Sequence, residues 1–478
     1  MREQIRKIKE KGGEQLLFVC VTIISAGVHF IYSIYVKVYV APLEYGMYST
    51  CVLLQTYLAY LQLGSLSAFN RDYPQLVGAG EREESKKYRN TVLSFLLGVY
   101  LIASILVGFA IIIIGHRKAL DLRVVIGSIL ITVITALTTF ENYANYRCRI
   151  DVGFKYSSIV TLLELLSIPI GVILVPKIGY YAIYLTSIIA MMIGIIFYYR
   201  PSFRDFKFTL DIPLLRGILL SGMPLLINGL IWTVVNSIDK FVILGFMDTE
   251  ALGVYGIAQN AFSYMVLIPS AMSQLFYVKM GKEYGASGKI EKLAEVSSGF
   301  SAVLAAVTSF ISMIAYFFLP VLVEKFMPNY SDGIMAAQIL ILGLSVYAAT
   351  LINGNVLTIL KKNGALLSGS ICMCVFNAVC SIGYVIILGA KIESVALGTA
   401  TSYILYALII IYQVHQYANC KIGKLINASV IPVVISLLPG IMIYNCIANR
   451  LLGFIITIIL VIIFYGFFYR KQLLSIRN

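Results

Sequence analysis

The stretch SIDKFVILGFMDTEALGVYGIAQN, residues 237–260, joins two long apolar runs through a short acidic turn. An Asp–Lys pair lies near its start, and a Gly-x-Tyr triplet at 253–255 opens the second run. A weaker copy, APLEYGMYS (41–49), follows Lys37 and carries the same triplet at 46–48. The two triplets lie 207 positions apart. This repetition predicts a chain built from two similar halves.

The composition is that of a membrane protein. Of the 478 residues 59% are apolar and only 13% are charged. In soluble proteins about a quarter of all residues are charged. The mean hydropathy is +0.88. Apolar runs of about 20 residues, long enough to cross a bilayer, recur along the whole sequence. We therefore expect an all-α polytopic membrane protein, because continuous apolar runs differ from the alternating pattern of membrane barrels.

About fourteen transmembrane helices are predicted. Their approximate ranges are 16–36, 47–67, 91–115, 124–143, 157–176, 180–199, 218–239, 253–276, 297–320, 335–359, 366–389, 395–417, 428–447 and 451–469. Adding the 207-residue offset to the first six starting positions reproduces the next six within about eight residues. This agreement predicts two six-helix lobes in a parallel pseudo-two-fold repeat, with two helices appended at the C-terminal end. The predicted boundaries are 1–207, 208–420 and 421–478.

The positive charges predict the orientation of the helices. With the N-terminus inside, 28 of the 37 lysines and arginines fall in inside segments. Cytoplasmic loops of membrane proteins carry such an excess. Both termini, including the basic C-terminal tail, are therefore expected to be cytoplasmic. The net charge of +14 is spread over short loops, so we expect no nucleic-acid partner. The charged segments 71–90 and 279–295 are predicted to be links that follow helices 2 and 8.

Motifs of catalysis and of metal binding are absent from the sequence. GASGKI (285–290) has the wrong glycine spacing for a phosphate-binding loop, and Ile290 stands where that motif needs Ser or Thr. The eight cysteines have no zinc spacing. We expect neither an enzyme nor a bound metal or cofactor.

Polar groups at membrane depth are the candidate functional residues, because each costs about 2.5–3.5 kcal/mol at a helix centre. Glu164 lies inside the fifth predicted helix, and it is either a coupling carboxylate, a cavity-lining group or the structural partner of Arg147 or Arg149. His29 lies inside the first helix, either as a neutral hydrogen-bonded imidazole or as part of a proton pathway.

Several further residues are candidates for a substrate-binding cavity. Lys37, Asp239 and Lys240 are either interfacial anchors whose stems reach outward or a charged ring at the outer mouth of a cavity. Arg71 would act in the same way from the inner side. Trp232, the only tryptophan, is suited to packing or to stacking on a sugar. Arg147 and Arg149 complete this set of candidate binding residues.

The sequence resembles a known family. GMPLLINGL (222–230), SIDKFVILG (237–245), EALGVYGIAQN (250–260) and APLEYGMYS (41–49) are similar to segments of the polysaccharide biosynthesis flippases. These belong to the multidrug/oligosaccharidyl-lipid/polysaccharide exporter superfamily. The resemblance spans essentially the whole chain and rests on short hydrophobic motifs.

The resemblance implies a function. Such a flippase moves an undecaprenyl-pyrophosphate-linked oligosaccharide across the bacterial cytoplasmic membrane by alternating access, for O-antigen, capsule or exopolysaccharide assembly. Membrane lipids are implied partners, and a polysaccharide polymerase and a chain-length regulator are possible ones. Transport would be coupled to H⁺ or Na⁺, with His29 and Glu164 as candidates. The first helix lacks the interior carboxylate of drug-exporting relatives, so their coupling residues cannot be transferred.

Two alternatives stay open. One is a cation-coupled multidrug exporter of the same superfamily, which would usually carry an acidic residue inside helix 1. The other is a membrane polymerase or ligase of polysaccharide assembly, which would carry a long external loop; all predicted outside loops here are about fifteen residues or shorter.

Overall fold

The computed structural model describes residues 2–118, 121–418, 420–447 and 449–469. The predicted C-terminal tail from residue 470 lies outside the described residues. The described residues form α-helices and short 3₁₀ or π turns and contain no strand. This is the all-α fold that the apolar runs predict.

Eight helices precede the repeat-defining stretch. They are α1 (Arg2–Tyr39), α2 (Pro42–Leu58), α3 (Ser65–Gly78), α4 (Arg82–Lys118), α5 (Leu122–Asp151), α6 (Phe154–Glu164), α7 (Ser167–Ile178) and α8 (Tyr181–Tyr198). A 3₁₀ turn at Ala59–Gln62 follows α2, and a π turn at Tyr199–Phe203 follows α8.

Nine helices make up the rest of the described chain. They are α9 (Ile212–Phe246), α10 (Thr249–Ser287), α11 (Ile290–Phe326), α12 (Ile334–Ala349), α13 (Leu351–Ile359), α14 (Asn363–Leu388), α15 (Ile392–Ala418), α16 (Ile422–Cys446) and α17 (Arg450–Phe468). The repeat-defining stretch covers the end of α9 and the start of α10, where Asp248 caps α10 by accepting a hydrogen bond from the Ala251 N–H.

Thirteen helical segments of the described chain are long and apolar enough to cross a membrane. The segment missing from the fourteen predicted is the second, 47–67, which the structure breaks. Leu63 and Gly64 both have positive φ, 49° and 81°, and divide this segment between α2 and α3. The predicted charged links are also shorter than expected, because much of 71–90 and 279–295 continues as helix.

The chain divides into two compact units, residues 1–233 and 234–478. The predicted lobe boundaries at 207/208 and 420/421 stay predictions. In the first unit an aromatic core joins α3, α4 and α5, where the ring of Phe69 lies 4.7 Å from that of Tyr73 and 4.8 Å from that of Tyr143. In the second unit α15 packs against α12 and α14.

Outward faces of the helices are strongly apolar. On α4 the exposed residues include Leu101, Ile105 and Phe109, and on α14 they include Val379 and Ile386. Soluble proteins rarely leave such continuous faces uncovered. These faces are suited to contact with lipid.

Candidate functional site

A polar cavity of about 500 Å³ lies in the first unit. Its wall comes from the turn after α2, from α3 and from α5, and its lining residues are Gln62, Leu66, Ser67, Asn70, Arg71, Asn142 and Tyr146. Amide, hydroxyl and guanidinium groups therefore outnumber aliphatic ones. The break at Leu63 and Gly64 lets the turn and α3 both contribute to this wall.

Arg71 is fixed at the cavity wall by neighbouring groups. Its Nε donates to Asp72 Oδ1 at 2.5 Å and its Nη2 donates to Asp72 Oδ2 at 3.0 Å. Its Nη1 donates to the Ser221 carbonyl on α9 at 3.3 Å. The Arg71 side chain is still 44% exposed. Each Nη of Arg71 keeps one N–H that these contacts do not use, so the exposed guanidinium can still bind carboxylate or phosphate oxygens.

Arg147 is part of a structural ion network. It is 3% exposed, and its Nε donates to Asp151 at 3.1 Å while its Nη2 donates to Asp205 at 2.8 Å. It also donates to the Ser202 carbonyl, and Arg89 donates to the same Asp205. These contacts join α4 and α5 to the turn after α8. They occupy the Arg147 guanidinium, so it is not presented to a substrate.

Lys37 and Arg149 are cations that lie against aromatic rings. The Lys37 side chain is 2% exposed, so it does not reach outward as an interfacial anchor would. Its Nζ has no hydrogen-bond acceptor among the described residues and lies 4.0 Å from the centre of the Tyr45 ring. The Arg149 Cζ lies 4.4 Å from the Phe18 ring and 5.8 Å from the Tyr146 ring. Both contacts have cation–π geometry.

Glu164 is paired with a carboxyl group and not with an arginine. Its carboxyl group lies beside that of Glu141 on α5, and both adjoin Gly194. Gly194 on α8 makes room for the pair, because a Cβ there would lie 2.6 Å from Glu164 Oε1 and 3.3 Å from Glu141 Cδ. The structural alternative of an ion pair with Arg147 or Arg149 is therefore wrong. Two adjoining carboxyl groups repel each other when both are ionised, and a proton on one of them allows them to form a hydrogen bond.

Glu164 also lies at a break in a membrane span. It is the last residue of α6, and α7 begins at Ser167. The span 154–178 is thus a discontinuous helix, a feature that transporters use at ion and substrate sites.

Asp239 lies in a polar cluster of the second unit. It is 8% exposed and accepts hydrogen bonds from Tyr255 Oη at 2.5 Å and from Thr399 Oγ1 at 2.6 Å. Asn377 Nδ2 lies 3.5 Å away, and Ser381 donates to Asn377 Oδ1 at 3.0 Å. The cluster joins α9, α10, α14 and α15. Its carboxylate, amide and hydroxyl oxygens are of the kind that hard cations take as ligands.

Three candidates remain: Lys240, Trp232 and His29. Lys240 is partly buried beside Asp239. Trp232 is partly buried in α9. His29 is exposed, and its Nδ1 lies 2.8 Å from the Ser25 carbonyl, to which it donates.

The structure thus places the candidates in separate clusters. Residues outside the predicted binding set complete each one: Asn70 and Asn142 in the cavity, Glu141 beside Glu164, and Tyr255 with Thr399 around Asp239. From the sequence, Glu141 reads as a boundary residue at the inner end of the fourth predicted helix, and the structure places it instead beside the Glu164 carboxyl. The amides carry no comparable signal, because Asn and Gln are tolerated in membrane helices for many reasons.

Solved structures with the same fold are transporters. Over 95% of this chain and 99% of the other, the structure is similar to "Lipid II flippase MurJ, inward closed conformation", with a TM-score of 0.73 and 17% identity. An inward-facing multidrug resistance MATE family transporter of the MOP superfamily matches 83% of this chain and 95% of its own, with a TM-score of 0.66 and 15% identity. At these identities the likeness concerns the fold.

The Vibrio cholerae MATE transporter VcmN in the bent form gives a TM-score of 0.55 at 15% identity, over 88% of this chain and 100% of its own. No curated protein matches the chain in sequence. The sequence profile described as "Polysaccharide biosynthesis protein" matches residues 15–279, just over half of the chain. The chain therefore belongs to the polysaccharide biosynthesis protein family.

Proposed function

We propose that this protein is a flippase for undecaprenyl-pyrophosphate-linked oligosaccharides in O-antigen, capsule or exopolysaccharide assembly. It moves the glycolipid across the bacterial cytoplasmic membrane by alternating access, with both termini in the cytoplasm. No catalytic step is part of this proposal. Family membership and a fold shared with a lipid II flippase support it. A polymerase and a chain-length regulator would act on the product.

The observation that carries the proposal is the guanidinium of Arg71 at the wall of a polar cavity. A lipid-linked glycan has a pyrophosphate that needs a cation, sugars that need hydrogen bonds, and a tail that stays in lipid. Arg71 offers a planar donor that matches phosphate oxygens.

Coupling to H⁺ or Na⁺ would drive the cycle. For a proton, the Glu141–Glu164 pair is the better candidate, because two adjoining carboxyl groups can share a proton. His29 is the second proton candidate. For Na⁺, the oxygen ligands around Asp239 are the candidate site. Lys37 and Lys240 are not assigned a contact with substrate.

The proposal is tested in cells lacking this protein. Lipid-linked oligosaccharide is probed from outside with a membrane-impermeant glycan-modifying enzyme. We expect the glycolipid to accumulate unmodified, and the wild-type gene to restore its modification. Arg71→Ala should fail to restore it, and Arg71→Lys should restore part of it.

Arg82→Ala is the matched control, because Arg82 is an exposed arginine outside the cavity. It should restore modification fully. If single completed units appear outside but never lengthen in the deletion strain, the chain is a polymerase and the proposal is wrong. If glycolipid modification is normal and drug sensitivity rises, the multidrug exporter is correct.

A further inference from the structure

We propose that the cavity of the first unit is a glycan-binding subsite, in which Asn70, Asn142 and Gln62 bind sugar hydroxyls next to the pyrophosphate held by Arg71. The inference rests on the proposed flippase function and extends it. It assigns the substrate's sugars, and not only its charge, to named side chains of one unit.

The first argument is the hydrogen-bonding capacity that these side chains leave unused. Within the described residues, the amides of Asn70 and Asn142 form no hydrogen bond with the protein. Gln62 Oε1 is buried and also has no partner among them. An unpaired buried acceptor costs about 1–3 kcal/mol, a cost that applies here to Gln62 Oε1. Asn70 is exposed and Asn142 is partly buried, so their amides are open to a ligand that replaces water.

The second argument is the match between the wall and a carbohydrate. Sugar hydroxyls both donate and accept, and amide side chains present one acceptor and two donors each. Tyr146 adds an aromatic ring to the same wall, and its face can pack against the apolar C–H face of a pyranose. The cavity of about 500 Å³ lies within the range of small-molecule sites.

The third argument is the position of the charges. Arg71 is the cation of this wall, and Asp72 fixes its orientation through two hydrogen bonds. Asn70 precedes it on α3, so the phosphate and the first sugars would meet adjacent groups. The other arginines nearby are engaged elsewhere: Arg147 binds Asp151 and Asp205, and Arg149 lies over Phe18. A ligand with one phosphate-bearing end and an uncharged glycan fits this distribution of charged side chains.

Affinities measured with the purified full-length protein distinguish recognition of the sugars from recognition of the pyrophosphate. The probes are undecaprenyl pyrophosphate, which has no sugar, and the undecaprenyl-pyrophosphate-linked oligosaccharide extracted from the deletion strain. Asn142→Leu keeps the side-chain size and removes the amide. We expect it to weaken binding of the oligosaccharide-bearing lipid about tenfold, as loss of roughly 1.4 kcal/mol of hydrogen bonding would. Binding of undecaprenyl pyrophosphate should not change.

Controls make the result specific. Arg71→Ala should weaken binding of both lipids. Asn90→Leu removes an amide of similar partial burial outside the cavity, and both affinities should stay at the wild-type value. Unfolding temperatures of all variants identify any that fold poorly. If Asn142→Leu and Asn70→Leu leave both affinities unchanged or reduce them equally, the glycan subsite is wrong. If the wild type binds neither lipid, the proposed function itself fails.

Discussion

Asp205 shows how a single side chain contributes to stability. It lies just after the π turn that follows α8, outside the membrane spans, and binds two arginines. Burial alone would raise the pKa of its carboxyl, but the hydrogen bonds and charges of Arg147 and Arg89 hold this pKa below its ordinary value. A carboxyl with a lowered pKa stabilises the fold above its unfolded-state pKa, and this stabilisation is lost as the pH falls through the lowered value.

Asp205→Asn should therefore lower the free energy of unfolding near neutral pH. Because the Asp205 side chain is 52% exposed, solvent screens the pair, and we expect a loss of about 1 kcal/mol. Unfolding of the purified chain in detergent, followed over a pH series, measures it. The difference from the wild type should shrink in acid. Glu83→Gln, at an exposed carboxylate paired with Lys86, should change stability less. A loss that is equal at all pH values would contradict this account.

The carboxyl pair gives the second prediction at this scale. An amide cannot release a proton, so Glu164→Gln and Glu141→Gln should each slow glycolipid flipping by about tenfold or more, a change of roughly 1.4 kcal/mol. The measurement is the modification of lipid-linked oligosaccharide from outside the cell. The neighbouring Tyr198 on α8 interacts electrostatically with both carboxyls. Its phenol carries no positive charge that would favour two ionised carboxylates. Flipping at the wild-type rate in both variants would exclude the pair from coupling.

At the scale of elements, the break between α2 and α3 shapes the cavity. Gly64 has a φ of 81°, and a residue with an L side chain adopts this left-handed conformation at a cost of about 1–2 kcal/mol. A Cβ on Gly64 would also lie 2.7 Å from the carbonyl carbon and oxygen of Gly222 on α9. Two glycines thus let the turn and α9 approach closely, and this approach fixes the wall that carries Gln62 and Arg71.

Gly64→Ala should consequently destabilise the chain by about 2 kcal/mol or more, since overpacking adds to the backbone cost. Gly98→Ala is the matched control: Gly98 lies inside α4 with open space around it, and alanine there should be neutral or stabilise by about 0.5–1 kcal/mol. Chemical unfolding of the two purified variants gives both values. Equal stability of Gly64→Ala and wild type would mean that the turn does not need this glycine.

The helices themselves were predictable, because long apolar runs leave few other structures in a bilayer. The break at Leu63 and Gly64 was not, since the apolar pattern continues through it and only the close approach of Gly222 requires it. The candidate site was predictable only in part. Intramembrane charges identified Glu164 and Asp239, but their partners lie on other helices, and the register between helices decides which groups meet.

At the scale of the whole molecule, two units of one chain carry different polar clusters. The first holds the cavity and the carboxyl pair, and the second holds the Asp239 cluster. Sequence repetition predicted the two similar halves, and it could not predict this division, because the polar residues are not repeated with the helices. Lipid-facing aliphatic surfaces on α4 and α14 complete a molecule suited to act within the bilayer.

The most direct test of glycolipid flipping uses the purified full-length protein in liposomes. These contain lipid-linked oligosaccharide extracted from the deletion strain, and a glycan-modifying enzyme is added outside. Protein-free liposomes expose only the outer-leaflet portion to the enzyme. Wild-type protein should make nearly all of the glycolipid accessible, under an imposed H⁺ or Na⁺ gradient if one is needed, and Arg71→Ala should not. Accessibility that stays at the protein-free level under every gradient, with folded protein present, would contradict the assignment as a flippase.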